Sequence, residues 1–137
     1  MDFRDFNDPN FINTNAYKNF IDKNKSVGYL NIRAYAANAA IPISGLNITI
    51  SKVINNEKVI FFEGATDSSG IINRITLPTP ILSKNDLKIP ESEEYDIMAV
   101  YENQSLYFKV LMYSNIVVNQ NINIVPNMRL DGKNYGN

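Results

Sequence analysis

The 137-residue sequence predicts an all-β fold, a seven-stranded antiparallel β-sandwich preceded by an N-terminal arm. Three observations lead to it. From Gly28 onward, apolar and polar residues alternate with a period of two, the pattern of strands that bury one face. The alternating runs are short and are separated by clusters of Gly, Pro, Asn, Asp and Ser. Residues 1–27 follow neither rule.

The arm, residues 1–27, holds eight charged residues and six Asn, with large rings at Phe3, Phe6, Phe11, Tyr17 and Phe20. Ile12, Ala16 and Phe20 recur at four-residue intervals with Tyr17 and Ile21 beside them. This spacing predicts a short amphipathic helix from Thr14 to Asn24, capped by Thr14. The bland reading of such a segment is a frayed terminus. Because a solvated tail has no need of five rings, the sharper readings are an arm that covers apolar surface on a partner or on the chain's own domain.

Residues 28–131 form the sandwich domain and residues 132–137 a tail. Leu30, Ile32, Ala34 and Ala36 alternate with Tyr29, Asn31, Arg33 and Tyr35. Leu46, Ile48 and Ile50 alternate with Asn47, Thr49 and Ser51. Leu106, Phe108, Val110 and Met112 make a third inward set, and Ile116, Val118, Ile122 and Ile124 a fourth, interleaved with Asn119, Asn121 and Asn123. Shorter strands are predicted over 58–63, 71–77 and 95–102.

Turn chemistry separates these runs. Asn55 and Asn56 tolerate the left-handed backbone of a tight hairpin. In Thr66-Asp67-Ser68-Ser69-Gly70, Asp67 can accept from backbone amides ahead of it and Gly70 can adopt a positive φ. The stretch from Pro78 to Pro90 is the longest connection, because its prolines cannot sit in a central strand.

The segment from Ile41 to Ile50, followed by Thr66-Asp67-Ser68-Ser69-Gly70 and by Leu77-Pro78-Thr79-Pro80, resembles the carboxypeptidase regulatory-like domain. Tyr95-Asp96-Ile97 and the run from Asn121 to Pro126 fill the last two places of that pattern. Leu46 stands where the family usually has Ala. The resemblance covers about Gly28 to Leu130 and implies a transthyretin-like (prealbumin-like) β-sandwich. It is similar to accessory modules of clostridial spore cortex-lytic enzymes, and it implies no particular activity.

Composition narrows the chemistry. The chain has no His, Cys or Trp, which excludes Ser-His-Asp and Cys-His nucleophilic catalysis, thiolate or imidazole zinc sites and disulfides. The formal net charge of -1 gives no bulk basic field for nucleic acid or anionic lipid. Asp2, Asp5 and Asp8, and the cluster Glu91, Glu93, Glu94 and Asp96, lack the spacing and glycine of a calcium loop and read as solvated acidic surface. The chain is therefore expected not to be an enzyme, with no catalytic residue, cofactor or metal.

The expected function is that of a structural or interaction subunit. Tyr29 and Tyr35 fall on the outer face of the first strand, and Tyr107, Leu111 and Tyr113 on that of the strand after Gln104. With Phe3, Phe6, Phe11, Tyr17 and Phe20 they are the candidate partner-binding residues. An aromatic arm followed by a sandwich with open edges suits a homo-oligomer or filament. The first residues lack the features of a secretory signal, so synthesis in the cytoplasm is expected, with neither nucleic acid nor membrane as partner. The abundance of Asn, Ile and Lys points to an AT-rich bacterial genome, and the resemblance implies a clostridium-like source and a spore-associated layer or appendage with other spore proteins as partners. A phage-tail or bacteriocin-particle component shares these features. The alternative is a monomeric carbohydrate- or peptidoglycan-binding module whose loops, Thr66 to Gly70 and Pro78 to Pro90, hold the ligand.

Overall fold

The computed structural model describes residues 3–37, 39–82 and 90–125. The middle of the Pro78–Pro90 connection, the closing Pro126 and the tail at 132–137 lie outside the described residues. The elements run β1 (Phe3–Asp5), α1 (Pro9–Ile12), α2 (Asn15–Lys23), β2 (Ser26–Ala36), β3 (Ile41–Pro42), β4 (Asn47–Ile54), β5 (Glu57–Ala65), β6 (Ile71–Thr79), β7 (Glu93–Tyr101), β8 (Gln104–Met112) and β9 (Val117–Asn123). The fold is an all-β sandwich of two sheets. One has the order β1-β5-β4-β7-β8; in the other, β2 is flanked by β6 and β3 and also by β9.

Seven strands are the alternating runs of the sequence, and β1 and β3 are short additions. The pairing departs from a purely antiparallel pattern in two places: β9 runs parallel to β2, and β1 parallel to β5. The first follows from the corner after β8. There the chain crosses between sheets, and Asn115 N donates to Val27 O at 2.7 Å while Tyr29 N donates to Ile116 O at 3.0 Å, which launches β9 in the direction of β2. Gly28 sits against this corner: a Cβ there would lie 2.5 Å from the Tyr113 carbonyl oxygen, so only glycine permits the close approach.

The core lies between the sheets. Leu30, Ile32 and Ala34 from β2, Leu77 from β6 and Ile122 from β9 face Ile48, Ile50, Ile97 and Ala99 of the other sheet, all fully or nearly fully buried. Each large side chain so buried contributes about 1.5–3 kcal/mol. At the end of the sandwich, Asp67 Oδ1 accepts from Ser69 N at 2.8 Å and from Ile71 N at 3.0 Å, while Gly70 takes φ +76°. Thr66 Oγ1, buried, donates to Ile43 O at 2.6 Å and accepts from Leu46 N at 3.0 Å, tying the turn to the start of β4.

The arm is folded onto the sandwich. Thr14 Oγ1 caps α2 by accepting from Tyr17 N at 3.2 Å. A register shift between Ile50 and Ser51 leaves Phe61 as the extra residue of β5, a bulge that turns its ring toward the arm. Phe6 stacks on Phe61 with centroids 4.4 Å apart, Phe20 packs beside it at 5.6 Å, and Phe61 meets the edge of buried Tyr95 at 5.0 Å.

Candidate interaction surface

The open side of the sandwich is built by β8 and β9. Each is paired on one side only among the described residues, β8 with β7 and β9 with β2. The two edges lie together. The corner from Tyr113 to Ile116 joins them at one end, and at the other Gln104 Nε2 donates to Val125 O at 2.9 Å. Strand β9, Val-Val-Asn-Gln-Asn-Ile-Asn, contains no charge, proline or glycine, the devices that ordinarily block edge-to-edge pairing.

Exposed apolar side chains flank these edges. Tyr107 is 71% exposed and Leu111 46%, both on the outer face of β8, while Ile116 and Val117 are exposed at the corner and the start of β9. Next to Tyr107, Ser51, Asp96, Met98 and Lys109 line a shallow groove of about 310 Å³ on the outer face of the first sheet. There Lys109 Nζ donates to Asp96 Oδ1 at 2.6 Å across the β7–β8 pair. That hydrogen bond, reinforced by the carboxylate's charge, holds the Lys109 ammonium above the usual lysine range.

The other outer face differs in chemistry. Asn31 sits opposite an irregularity in the β2–β6 ladder, where Arg74 takes φ +62° and its backbone N donates to Asn31 Oδ1 at 2.8 Å. The Asn31 amide then donates to Asn119 Oδ1 at 3.0 Å, so one side chain ties β6, β2 and β9 together. Tyr29 lies under the Arg74 guanidinium at 4.1 Å, and Tyr35 lies 5.2 Å from that of Arg33.

The candidate residues of the sequence thus divide into three groups. Tyr107 and Leu111 stand exposed beside the open edge, with Tyr113 half-buried at the corner. Tyr29 and Tyr35, half-buried, lie on the opposite face of the sandwich, so the five do not join into one patch. Of the arm residues, Phe11 is fully buried, Phe20 nearly so, and Phe6 and Tyr17 half-buried, all clustered on this same chain. Phe3 gives its backbone to β1, and its side chain lies outside what is described.

Two functional features were not legible. Glu93, expected on solvated acidic surface, is corrected: its side chain is 6% exposed and lies 2.5 Å from Lys52 Nζ and 3.9 Å from Lys23 Nζ. The alternation that carries Tyr95, Ile97 and Ala99 inward carries Glu93 inward as well, and that was the available signal. The three-strand role of Asn31 depends on the irregularity in β6, which alternation does not encode.

No family model matches the chain, and no curated protein matches it. Among solved structures, the 5-hydroxyisourate hydrolase of Klebsiella pneumoniae is similar to it at 12% identity, over 72% of this chain and 92% of that one, with a TM-score of 0.45. The sandwich rests on the chain's own strand pairing, and a likeness of this degree carries no chemistry across. One expectation is nevertheless corrected: a similar structure is titled as an enzyme, so the exclusion of enzymatic activity is withdrawn. Among the described residues, no helix is long and apolar enough to cross a membrane.

Proposed function

We propose that the protein is a structural or interaction subunit that assembles with further copies of itself through the open β8–β9 side of the sandwich. The observation that carries this reading is the uncharged β9 edge lying beside a second open edge flanked by exposed Tyr107, Leu111, Ile116 and Val117. Backbone groups on an open edge gain hydrogen bonds when a neighbouring strand adds to them, and the flanking apolar side chains leave water in the same step. The connector in this reading is the edge, because the rings of Phe6, Phe11, Tyr17 and Phe20 are occupied on their own domain.

The finer assignment, a transthyretin-like module of the carboxypeptidase regulatory-like kind in a spore-associated layer or appendage, is supported by the resemblance of residues 28–130 alone. The test is light scattering with negative-stain microscopy on the full chain and on a variant carrying Leu111→Lys and Val117→Lys. Oligomers or fibres formed by the parent and lost in the variant are expected. A parent that stays monomeric at every concentration, or assemblies that ignore both lysines, would sink the proposal.

A further inference from the structure

The outer face of the β9-β2-β6 sheet carries a second reading, independent of assembly. In parallel register, Asn31 stands beside Asn119, Arg33 beside Asn121 and Tyr35 beside Asn123. Rows on one strand repeat about every 6–7 Å, and neighbouring strands lie about 4.8 Å apart, so the side chains form a regular two-row lattice. Asn31, Arg33, Asn73, Asn119 and Asn121 line a groove of about 240 Å³ in it. Tyr29 and Tyr35 flank the lattice at its two ends.

The charge of this sheet is one-sided. Strands β2, β3, β6 and β9 contain Arg33 and Arg74 and no Asp or Glu, in a chain whose net charge is -1. Among the described residues, Asn73, Asn121 and Asn123 make no side-chain hydrogen bond, and neither arginine has a carboxylate partner. Each free amide offers both donors and acceptors, which suits hydroxyl groups, and a guanidinium fork suits a carboxylate. Tyrosine adds an apolar ring face with a polar tip. A protein partner would instead favour an apolar centre, whereas here the centre is amide and the apolar groups lie at the ends.

We infer that this face binds an extended acidic glycan, its hydroxyls held by the Asn119 and Asn121 amides and its carboxylates by Arg33 and Arg74. Asn31 acts as a positioning residue, because its own amide is engaged with Asn119 and the Arg74 backbone.

The experiment is a calorimetric titration of the full chain with oligogalacturonate, and in parallel with a neutral cello-oligosaccharide and a single-stranded oligonucleotide of similar length. Oligogalacturonate is expected to bind best, with affinity falling as salt rises. The variant carrying Arg33→Gln and Asn121→Ala, both at exposed positions, should lose at least about tenfold in affinity, the scale of one charge-assisted hydrogen bond. Lys109→Gln, on the opposite sheet, should leave binding unchanged. The proposal is overturned by no binding of oligogalacturonate, by equal binding of the neutral chain, by tighter binding of the oligonucleotide, or by affinity indifferent to Arg33 and Asn121.

Discussion

Lys52 Nζ lies 2.5 Å from Glu93 Oε2 at the end of the sandwich where the arm helix ends, with the carboxylate buried and the lysine largely so. Lys23 of α2 approaches the same carboxylate at 3.9 Å, so one buried charge joins β4, β7 and the arm. Such a carboxylate is tolerated only while its partner is present. Lys52→Met should therefore destabilise the chain by about 2–3 kcal/mol, a little below a fully buried pair because Lys23 remains and Lys52 is part-exposed. Adding Glu93→Leu should restore much of the loss. Urea unfolding of the single and double variants decides it, and strict additivity would show that the two residues are not coupled.

The Thr66–Gly70 turn should be intolerant at two points for different reasons. Thr66→Val leaves the Ile43 carbonyl and the Leu46 amide without their buried partner and should cost about 2–3 kcal/mol. Gly70→Ala places a Cβ against the Ala34 carbonyl oxygen in a backbone of φ +76°, and should cost more than about 1 kcal/mol. Thermal unfolding reads both. A Gly70→Ala variant as stable as the parent would show that the turn relaxes.

Burial, with the Glu93 charge as a lesser cause, raises the pKa of Tyr95 above the ordinary 10.0, and its hydroxyl donates to Pro78 O at 2.5 Å. The folded state keeps that proton at pH values where the unfolded chain releases it. Stability from Tyr95 is therefore full below about pH 10 and declines as the pH rises beyond it, by up to about 1.4 kcal/mol per unit. Tyr95→Phe should cost about 1 kcal/mol at neutral pH and show a shallower decline on the alkaline side. Parallel alkaline limbs for parent and variant in urea midpoints would contradict this.

Thr79 carries the opposite sign. Its side chain is fully buried, and Oγ1 has no hydrogen-bond partner among the described residues. Thr79→Val keeps the shape and removes the orphaned hydroxyl, so it should be neutral or stabilise by about 1 kcal/mol. A loss of stability in urea unfolding would reveal a partner for that hydroxyl.

Where the strands fall can be read along the chain, because a period-two alternation is a local property of each run. Leu30 to Ala36 and Leu106 to Met112 read as half-buried strands without any knowledge of their neighbours, and Asn55, Asn56, Asp67 and Gly70 encode their turns in their own backbone preferences. What those strands meet is set by long-range packing. The bulge at Phe61 selected the sandwich as the seat of the arm's rings, the corner at Asn115 set β9 parallel to β2, and the approach of Lys52 made an inward Glu93 tolerable. Each depends on residues tens of positions apart coming within a few ångströms, and alternation along one strand holds no record of what lies across from it.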